Sequence, residues 1–549
     1  MNDVAKPVLS VQRLSVATAG PVPKTLVNDL SFDIRPGETL CVVGESGSGK
    51  SVTSLAIMGL LNHSGLALAE GEIWLEDDKV SHASQAQLRS MRARRMAMIF
   101  QEPMTALNPV ETIGEQIDEV LRIHTDLGRS KRRQRVLEML ASVHMPEPER
   151  IIDAYPHQIS GGQRQRVVIC MALILQPRLL IADEPTTALD VTTQKQILSL
   201  IRELQQQHNT AVLFITHDFG VVAEIADNIV VMNKGEMVEI GSREQILARP
   251  EQAYTRMLVS SVPSLVPPQP RACHEELTVL QVRALKKVYR EKKILGKARV
   301  IPAAKDISLK IRAREVVGIV GESGSGKSTV ARCISRLLRP DEGDVLIDGA
   351  NVAHIVGEEL RGFRRKLQIV FQDPYRSLNP RMRIRDSITE GLRNYGVPAR
   401  EGMERARELL TMVGLDETAL DRYPHQFSGG QRQRICIARA LALEPRLLIA
   451  DEAVSALDVS VQAQILELLA DIRDRTGVAV LFITHDLRVA AQICDKVIVM
   501  QRGEIVEQGP VADVLASPEH EYTRALIESA PGRHWDFKNF RPVHAGQIS

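Results

Sequence analysis

The chain has 549 residues, 44% of them apolar and 25% charged, with 69 Lys+Arg against 68 Asp+Glu. At roughly 100–200 residues per domain that length predicts three or four domains or two large ones, and an ordinary apolar fraction excludes wholesale disorder. A net charge of +1 with only 3% aromatics disfavours a protein that lives on nucleic-acid phosphates and stacked bases. No run approaches the ~18–20 apolar residues of a membrane helix, and the opening MNDVAKPVLS carries no apolar signal core. Six cysteines (Cys41, Cys170, Cys273, Cys333, Cys436, Cys494) are scattered without a CxxC pair. The expectation is a soluble cytoplasmic chain with reduced thiols and neither zinc site nor disulfide framework.

Along the chain, ETLCVV (38–43) is a short apolar run that feeds the glycine-rich segment GESGSGKS, Gly44–Ser51, and then a helical pattern. Gly-x-x-x-x-Gly-Lys-Ser turns backbone N–H groups toward a β-phosphate at a helix N-terminus, where anions are favoured. The predicted cradle is Gly44, Glu45, Ser46, Gly47, Ser48 and Gly49 with Lys50, Ser51 and Val52. Lys50 would reach the β- and γ-phosphates and Ser51 would ligate Mg²⁺. Segment 112–124, TIGEQIDEVLRIH, is rich in helix formers and reads as part of an inserted helical subdomain. LLIAD (179–183) and AVLFIT (211–216) are continuous apolar runs, the mark of strands buried on both faces of a parallel sheet. The first ends in the pair Asp183-Glu184. Strand C-termini face the ligand crevice of open α/β sheets, so Asp183 would orient a magnesium shell and Glu184 would polarise an attacking water. The bland alternative is an acidic pair capping the next helix. Together these residues predict a P-loop nucleotidase.

The whole pattern then repeats. GESGSGKS recurs at Gly321–Ser328, 277 residues on, and SGGQRQR at 160–166 recurs at 428–434, 268 residues on. LLIADE, LFITHD and the YTR of Tyr254 and Tyr522 keep the 268-residue spacing. Nine residues are therefore lost between the first two motifs and none afterwards, as expected of duplication with loop deletions. The predicted division is an N-terminal domain 1–260, a Pro-rich linker 261–276, a C-terminal domain 277–530 and a tail 531–549. The second cradle is Gly321, Glu322, Ser323, Gly324, Ser325 and Gly326 with Lys327, Ser328 and Thr329, and its acidic pair is Asp451-Glu452.

SGGQ sets the family. With Ser160, Gly161, Gly162, Gln163 and Ser428, Gly429, Gly430, Gln431 as signature segments, the chain resembles the ATP-binding cassette (ABC) ATPases. That resemblance implies an α/β fold of two tandem P-loop NTPase cassettes, each a RecA-like parallel-sheet core with an antiparallel β subdomain and a helical subdomain. It implies that the two cassettes pair within one chain, the signature of each completing the nucleotide site of the other. Gln101 and Gln372 match the Q-loop, which contacts metal and permease; Asp190 and Asp458 match the D-loop; His217 and His485 match the switch histidine. A lone histidine after a strand is usually a satisfied polar group, but its repetition in FITHD, 34 residues past each Asp, favours a functional one. Two departures stand out. Thr18 aligns with Tyr289, so an adenine-stacking aromatic is expected only at the second site, and Ala453 stands where the first copy has Pro185, which would alter the turn after the glutamate.

IFQEPMTALNPV (99–110), YPHQISGGQRQR (155–166), ADEPTTALDV (182–191), VFQDPYRSLNPR (370–381) and RYPHQFSGGQRQRICIARALALEPRLLIADEAVSALDVS (422–460) resemble most closely the tandem ATPases of bacterial dipeptide, oligopeptide and glutathione importers. The resemblance implies ATP and Mg²⁺ as ligands, two integral-membrane permease subunits and an extracytoplasmic substrate-binding protein as partners, and a peripheral place on the cytoplasmic face of the inner membrane. Some members carry an iron–sulfur cluster beyond the cassette; only Cys273 lies near the equivalent linker and no Cys follows Cys494, so none is expected. The same engine could serve nickel, opine or other small-solute import. Tandem cassettes acting on ribosomes or DNA usually carry a long charged linker or zinc-binding cysteines, absent from this sequence. A pseudo-ATPase is disfavoured by the intact Glu184 and Glu452.

Overall fold

Short apolar runs rich in β-branched residues form the central strands. Thr39–Val43, Leu179–Asp183 and Ala211–Ile215 are buried at every residue, which is possible only in the middle of a sheet covered on both faces. The computed structural model describes residues 6–101, 106–186, 189–268, 277–291, 299–455 and 457–543. These divide into two compact units, Met1–Leu189 with Thr193–Val262 and His534–Pro542, and Asp190–Thr192 with Pro263–Arg533 and Val543–Ser549. Cys273 and the second half of the predicted linker lie outside the described residues.

In the first unit, Thr39–Val43 lies between Ala211–Ile215 and Asn228–Asn233, with Leu179–Asp183 and then Met96–Ile99 beyond the former. These pairings are parallel, and Glu236–Ser242 closes the other edge of the six-stranded sheet antiparallel to Asn228–Asn233. A separate antiparallel sheet is built on Leu9–Thr18, flanked by Thr25–Ile34 and Leu66–Leu75. The second unit repeats both sheets in the same order, around Val316–Val320 and Thr278–Glu291. Part of the length lost between the copies falls after the first helix. The first unit has a 3₁₀ turn at Leu61–Ser64 and a ten-residue strand Leu66–Leu75; its counterpart Glu342–Ile347 has six residues. Leu75 and Ile347 nonetheless hold the same register, opposite Leu9 and Leu280.

The inserted helical region begins where the sequence places it. Thr112 caps the helix Ile113–His124 in a reciprocal box with Glu115, whose carboxylate accepts the Thr112 N–H at 2.9 Å. That helix packs on Arg129–Ser142 and on Gly161–Leu173, so the signature segment is physically the start of a subdomain helix. Among the described residues no helix is long and apolar enough to cross a membrane. The five described cysteines are buried free thiols, and burial pushes Cys333 up to about 11 and Cys436 up to about 12.

Phe482 is fully buried in the strand Ala479–Thr484, one residue before Ile483, which pairs with Asp451. Phe482→Ala should cost ~3–5 kcal/mol through the cavity it leaves. Calorimetry should show the unfolding transition of the second unit lowered, with hydrogen exchange along 447–451 accelerated and that along 179–183 unchanged.

Candidate active site

Parallel strands bring their C-terminal ends to one edge, and the predicted residues collect there. In the first unit the strand Thr39–Val43 runs into the glycine-rich loop and the helix Lys50–Ile57. Lys50, although buried, donates from Nζ to the carbonyls of Gly44 at 2.8 Å and Glu45 at 2.9 Å. Gly44 has φ +152°, and a Cβ there would meet the Met232 carbonyl oxygen at 2.2 Å, so the loop closes only with glycine at this position. Ser51 Oγ donates to Asp183 Oδ1 at 3.2 Å, and Ser54 Oγ to Asp183 Oδ2 at 3.4 Å. Glu184 follows in a left-handed conformation, φ 48°, its N–H bonded to Ile215 O at 2.9 Å. Its carboxylate is held at both oxygens: Gln101 Nε2 donates to Oε2 at 2.9 Å, and His217 Nδ1 lies 3.2 Å from Oε1.

The second unit reproduces this arrangement. Lys327 Nζ donates to Gly321 O at 2.7 Å and Glu322 O at 2.8 Å, and Ser328 Oγ donates to Asp451 Oδ1 at 3.2 Å. Gln372 Nε2 donates to Glu452 Oε2 at 2.8 Å, while His485 Nδ1 stands 3.7 Å from Oε1. Glu452 has φ 50° and the same N–H bond, to Ile483 O at 2.9 Å. With Ala453 in place of Pro185 the glutamate itself keeps the same φ and the same N–H bond, both set by strand pairing upstream and not by the proline ring. One difference was not legible as such: Ser54, the second donor to Asp183, is matched by Ala331.

Burial dominates the electrostatics. It pushes Asp183 and Asp451 above the usual carboxylate range against the pull of their serine hydrogen bonds, and the adjacent glutamates push the same way. Burial likewise lowers Lys327, countered by Glu452 and Asp451. Glu452 is pushed up by its own burial, but His485 and Lys327 outweigh that and hold it below its ordinary value, hence ionised at neutral pH. Ser51 with Asp183 and Ser328 with Asp451 are juxtaposed hard oxygen donors that suit Mg²⁺. Among the described residues no group of three or more His, Cys, Asp or Glu is arranged to hold a metal; Gln101 and Gln372, also expected as metal ligands, turn their amide nitrogens to Glu184 and Glu452.

The other predicted residues have definite local roles. Ser160 caps the helix Gly161–Leu173 in a reciprocal box with Gln163, and Ser428 caps Gly429–Leu441 in the same way with Gln431. Gly161 is open, but a Cβ on Gly162 would meet Thr193 Cγ2 at 2.5 Å and one on Gly430 would meet Val461 Cγ1 at 2.3 Å. The second signature glycine is thus demanded by helix packing, a constraint that the motif alone does not reveal. Asp190 Oδ1 accepts the Thr192 hydroxyl at 2.9 Å, and Asp458 stands at the N-cap of Val459–Thr476. Tyr289 brings its hydroxyl to 3.4 Å from Thr329 Oγ1, beside the second loop, whereas Thr18 uses its own to accept the Lys24 N–H at 2.8 Å in a hairpin.

The duplication that builds these two sites is also what comparison with known families detects. The sequence model described as "ABC transporter" matches residues 27–187 and again 304–455. The chain belongs to the ABC transporter family. It is an ATP-hydrolysing member with two cassettes, and the model described as "Oligopeptide/dipeptide transporter, C-terminal region" matches residues 238–287 and 506–540. The cassettes are 46% identical over 560 residues to "Glutathione import ATP-binding protein GsiA" of Pectobacterium atrosepticum, covering 96% of this chain and 90% of that one. The protein of the same name from Escherichia coli (strain K12) is 46% identical over 557 residues, covering 95% and 89%. "Peptidoglycan transport ATP-binding protein YejF" of Agrobacterium fabrum is also 46% identical, over 530 residues and 96% of each chain.

Two predictions follow from this geometry. Gly430→Ala should lower the melting temperature, and Gly430→Ala/Val461→Ala should restore it, because the clash is with a single methyl group; thermal unfolding of the three proteins checks this. Asp451 binds its proton more tightly folded than unfolded, so its charge costs stability above the unfolded value of ~3.9. Asp451→Asn should therefore melt higher than the parent at neutral pH, the gain fading as pH falls through the raised folded pKa. ATP hydrolysis at that site should be lost throughout.

Proposed function

We propose that this chain is the energy-coupling subunit of a bacterial importer for di- and oligopeptides or glutathione. The observation that carries the reading is the oligopeptide/dipeptide-type C-terminal region, matched once after each cassette; the glutathione-import names of relatives at 46% identity support it. A relative named for peptidoglycan transport at the same identity favours a second cargo class, peptide-bearing fragments of the cell wall. In this reading the partners are two integral-membrane permease subunits and an extracytoplasmic binding protein, and the chain works at the cytoplasmic face of the inner membrane.

The residues would act as follows. Loop N–H groups and Lys50 or Lys327 hold the phosphates, and Ser51 with Asp183, or Ser328 with Asp451, hold Mg²⁺. Bound magnesium supplies neutralisation of the charge on the β- and γ-phosphates. Glu184 and Glu452, oriented by Gln101 and His217 or by Gln372 and His485, accept hydrogen bonding from the attacking water, yielding ADP and phosphate. ATP drives the cycle only through its differential affinity for two permease-coupled states.

The test is ATP hydrolysis in membranes containing the co-purified permease, comparing the parent with Glu184→Gln, Glu452→Gln and the double variant. We expect each single variant to lose nearly all activity, on the order of 100-fold or more for removal of a general base, and the double variant to abolish peptide uptake. Near-parental activity in either single variant would mean that its site is not a working one.

A further inference from the structure

The duplicated YTR motif has no role in the chemistry above, yet both of its tyrosines reach the glycine-rich loops. Tyr522, in the helix Glu521–Ser529, is buried at 8% exposure within the main core of the second unit, and its phenol oxygen accepts the backbone N–H of Glu322 at 3.0 Å. Tyr254, in the helix Ala253–Ser260, brings its hydroxyl to 3.4 Å from the carboxylate of Glu45, the residue equivalent to Glu322. Two copies that have diverged elsewhere thus aim the same side chain at the same loop position.

The contact matters because of what else that peptide does. The carbonyl of Gly321, which shares a peptide unit with the Glu322 N–H, accepts from Lys327 at 2.7 Å, so one peptide unit is held by Tyr522 at its N–H and by the loop lysine at its oxygen. Gly321 itself sits at φ +151° against the Met500 carbonyl, a conformation open to glycine alone. The peptide that steers the lysine therefore begins at a residue with no side chain to hold it. Burial pushes the Tyr522 hydroxyl up to about 12, so it remains a neutral hydroxyl throughout the working pH range.

We propose that Tyr522 and its counterpart Tyr254 are positioning residues for nucleotide binding: latches that carry the C-terminal helix of each cassette onto its phosphate loop and set the direction of Lys327 and Lys50. The proposal rests on reading 321–328 as the nucleotide loop. Tyr522 reaches the loop backbone and Tyr254 reaches the side chain of the equivalent residue.

The experiment uses the full chain carrying Lys50→Met, so that titration with a fluorescent ATP analogue reads the second site. Tyr522→Phe removes one oxygen and keeps the packed ring. We expect ~5-fold weaker analogue binding, the scale of one lost hydrogen bond, and in otherwise unaltered protein a matching rise in KM for ATP with kcat within about twofold. Tyr254→Phe, read in a Lys327→Met background, should weaken binding at the first site in the same way. A purely structural tyrosine would lower the melting temperature and leave affinity alone. Affinity within about twofold of the parent for Tyr522→Phe, while Lys327→Met abolishes binding, would overturn the latch. Retained binding in Lys327→Met would overturn the reading of the loop itself, and the latch with it.

Discussion

The chemistry of each cassette depends on the pairing register of two parallel strands. Asp183 is level with Ile215 and Asp451 with Ile483, so the residue after each aspartate donates its N–H to the neighbouring strand and turns into the left-handed region. A non-glycine residue there costs ~1–3 kcal/mol, and the pairing holds it in place. Because Thr216 and His217 follow Ile215 directly, and Thr484 and His485 follow Ile483, the same register that bends the glutamate also delivers the histidine to it. A slip of one residue would send the aspartate and glutamate to opposite faces of the sheet. The glycine-rich loop joins through its own strand, which pairs with the histidine-bearing strand in both units.

The duplication is a natural comparison of two solutions on one backbone. What both copies keep is the Ser–Asp contact, the Gln–Glu contact and the lysine donating to the loop carbonyls, with distances agreeing within about 0.1 Å. What differs lies around that core. Asp183 has a second hydroxyl donor in Ser54; His217 stands closer to its glutamate than His485 does; Tyr289 faces its loop where Thr18 closes a hairpin. The frame of contacts is therefore shared, and the individuality of each site lies in how tightly that frame is supported and in what flanks the glutamate.

Most of the fold and the loop, acidic and histidine residues were legible because motif spacing is a direct consequence of strand order: each apolar run of five or six residues ends at the crevice edge. Less legible was anything decided by contacts between elements distant in sequence. Ser160 and Ser428 are read from the motif as phosphate ligands, yet in the fold each also caps its own helix. Gly430 is required by the methyl of Val461, and no local pattern announces that neighbour. The proline of the first copy looked like a determinant of the turn, but Glu452 adopts the same φ without it. Tyr522 was visible as a repeat without a purpose, since its hydroxyl meets Glu322 200 residues away in sequence.

These sites are also places where the fold is held against its own electrostatics. Burial disfavours the charged forms of Asp451 and Lys327, and the two only partly relieve each other; the glutamate beside them occupies a strained backbone. A polyphosphate brings negative charge to the lysine, and a divalent cation brings positive charge to the aspartate, so a ligand of that composition offsets both penalties at once. Whatever binds the folded site and not the unfolded chain stabilises the fold by mass action, and here the gain is concentrated on the strand ends and the loop. Part of the binding free energy is thereby the relief of unfavourable burial already present in the protein. Asp183 is supported by the hydroxyls of Ser51 and Ser54, and Asp451 by Ser328 and the nearby charge of Arg332, so the two cassettes meet the same penalty with different partners.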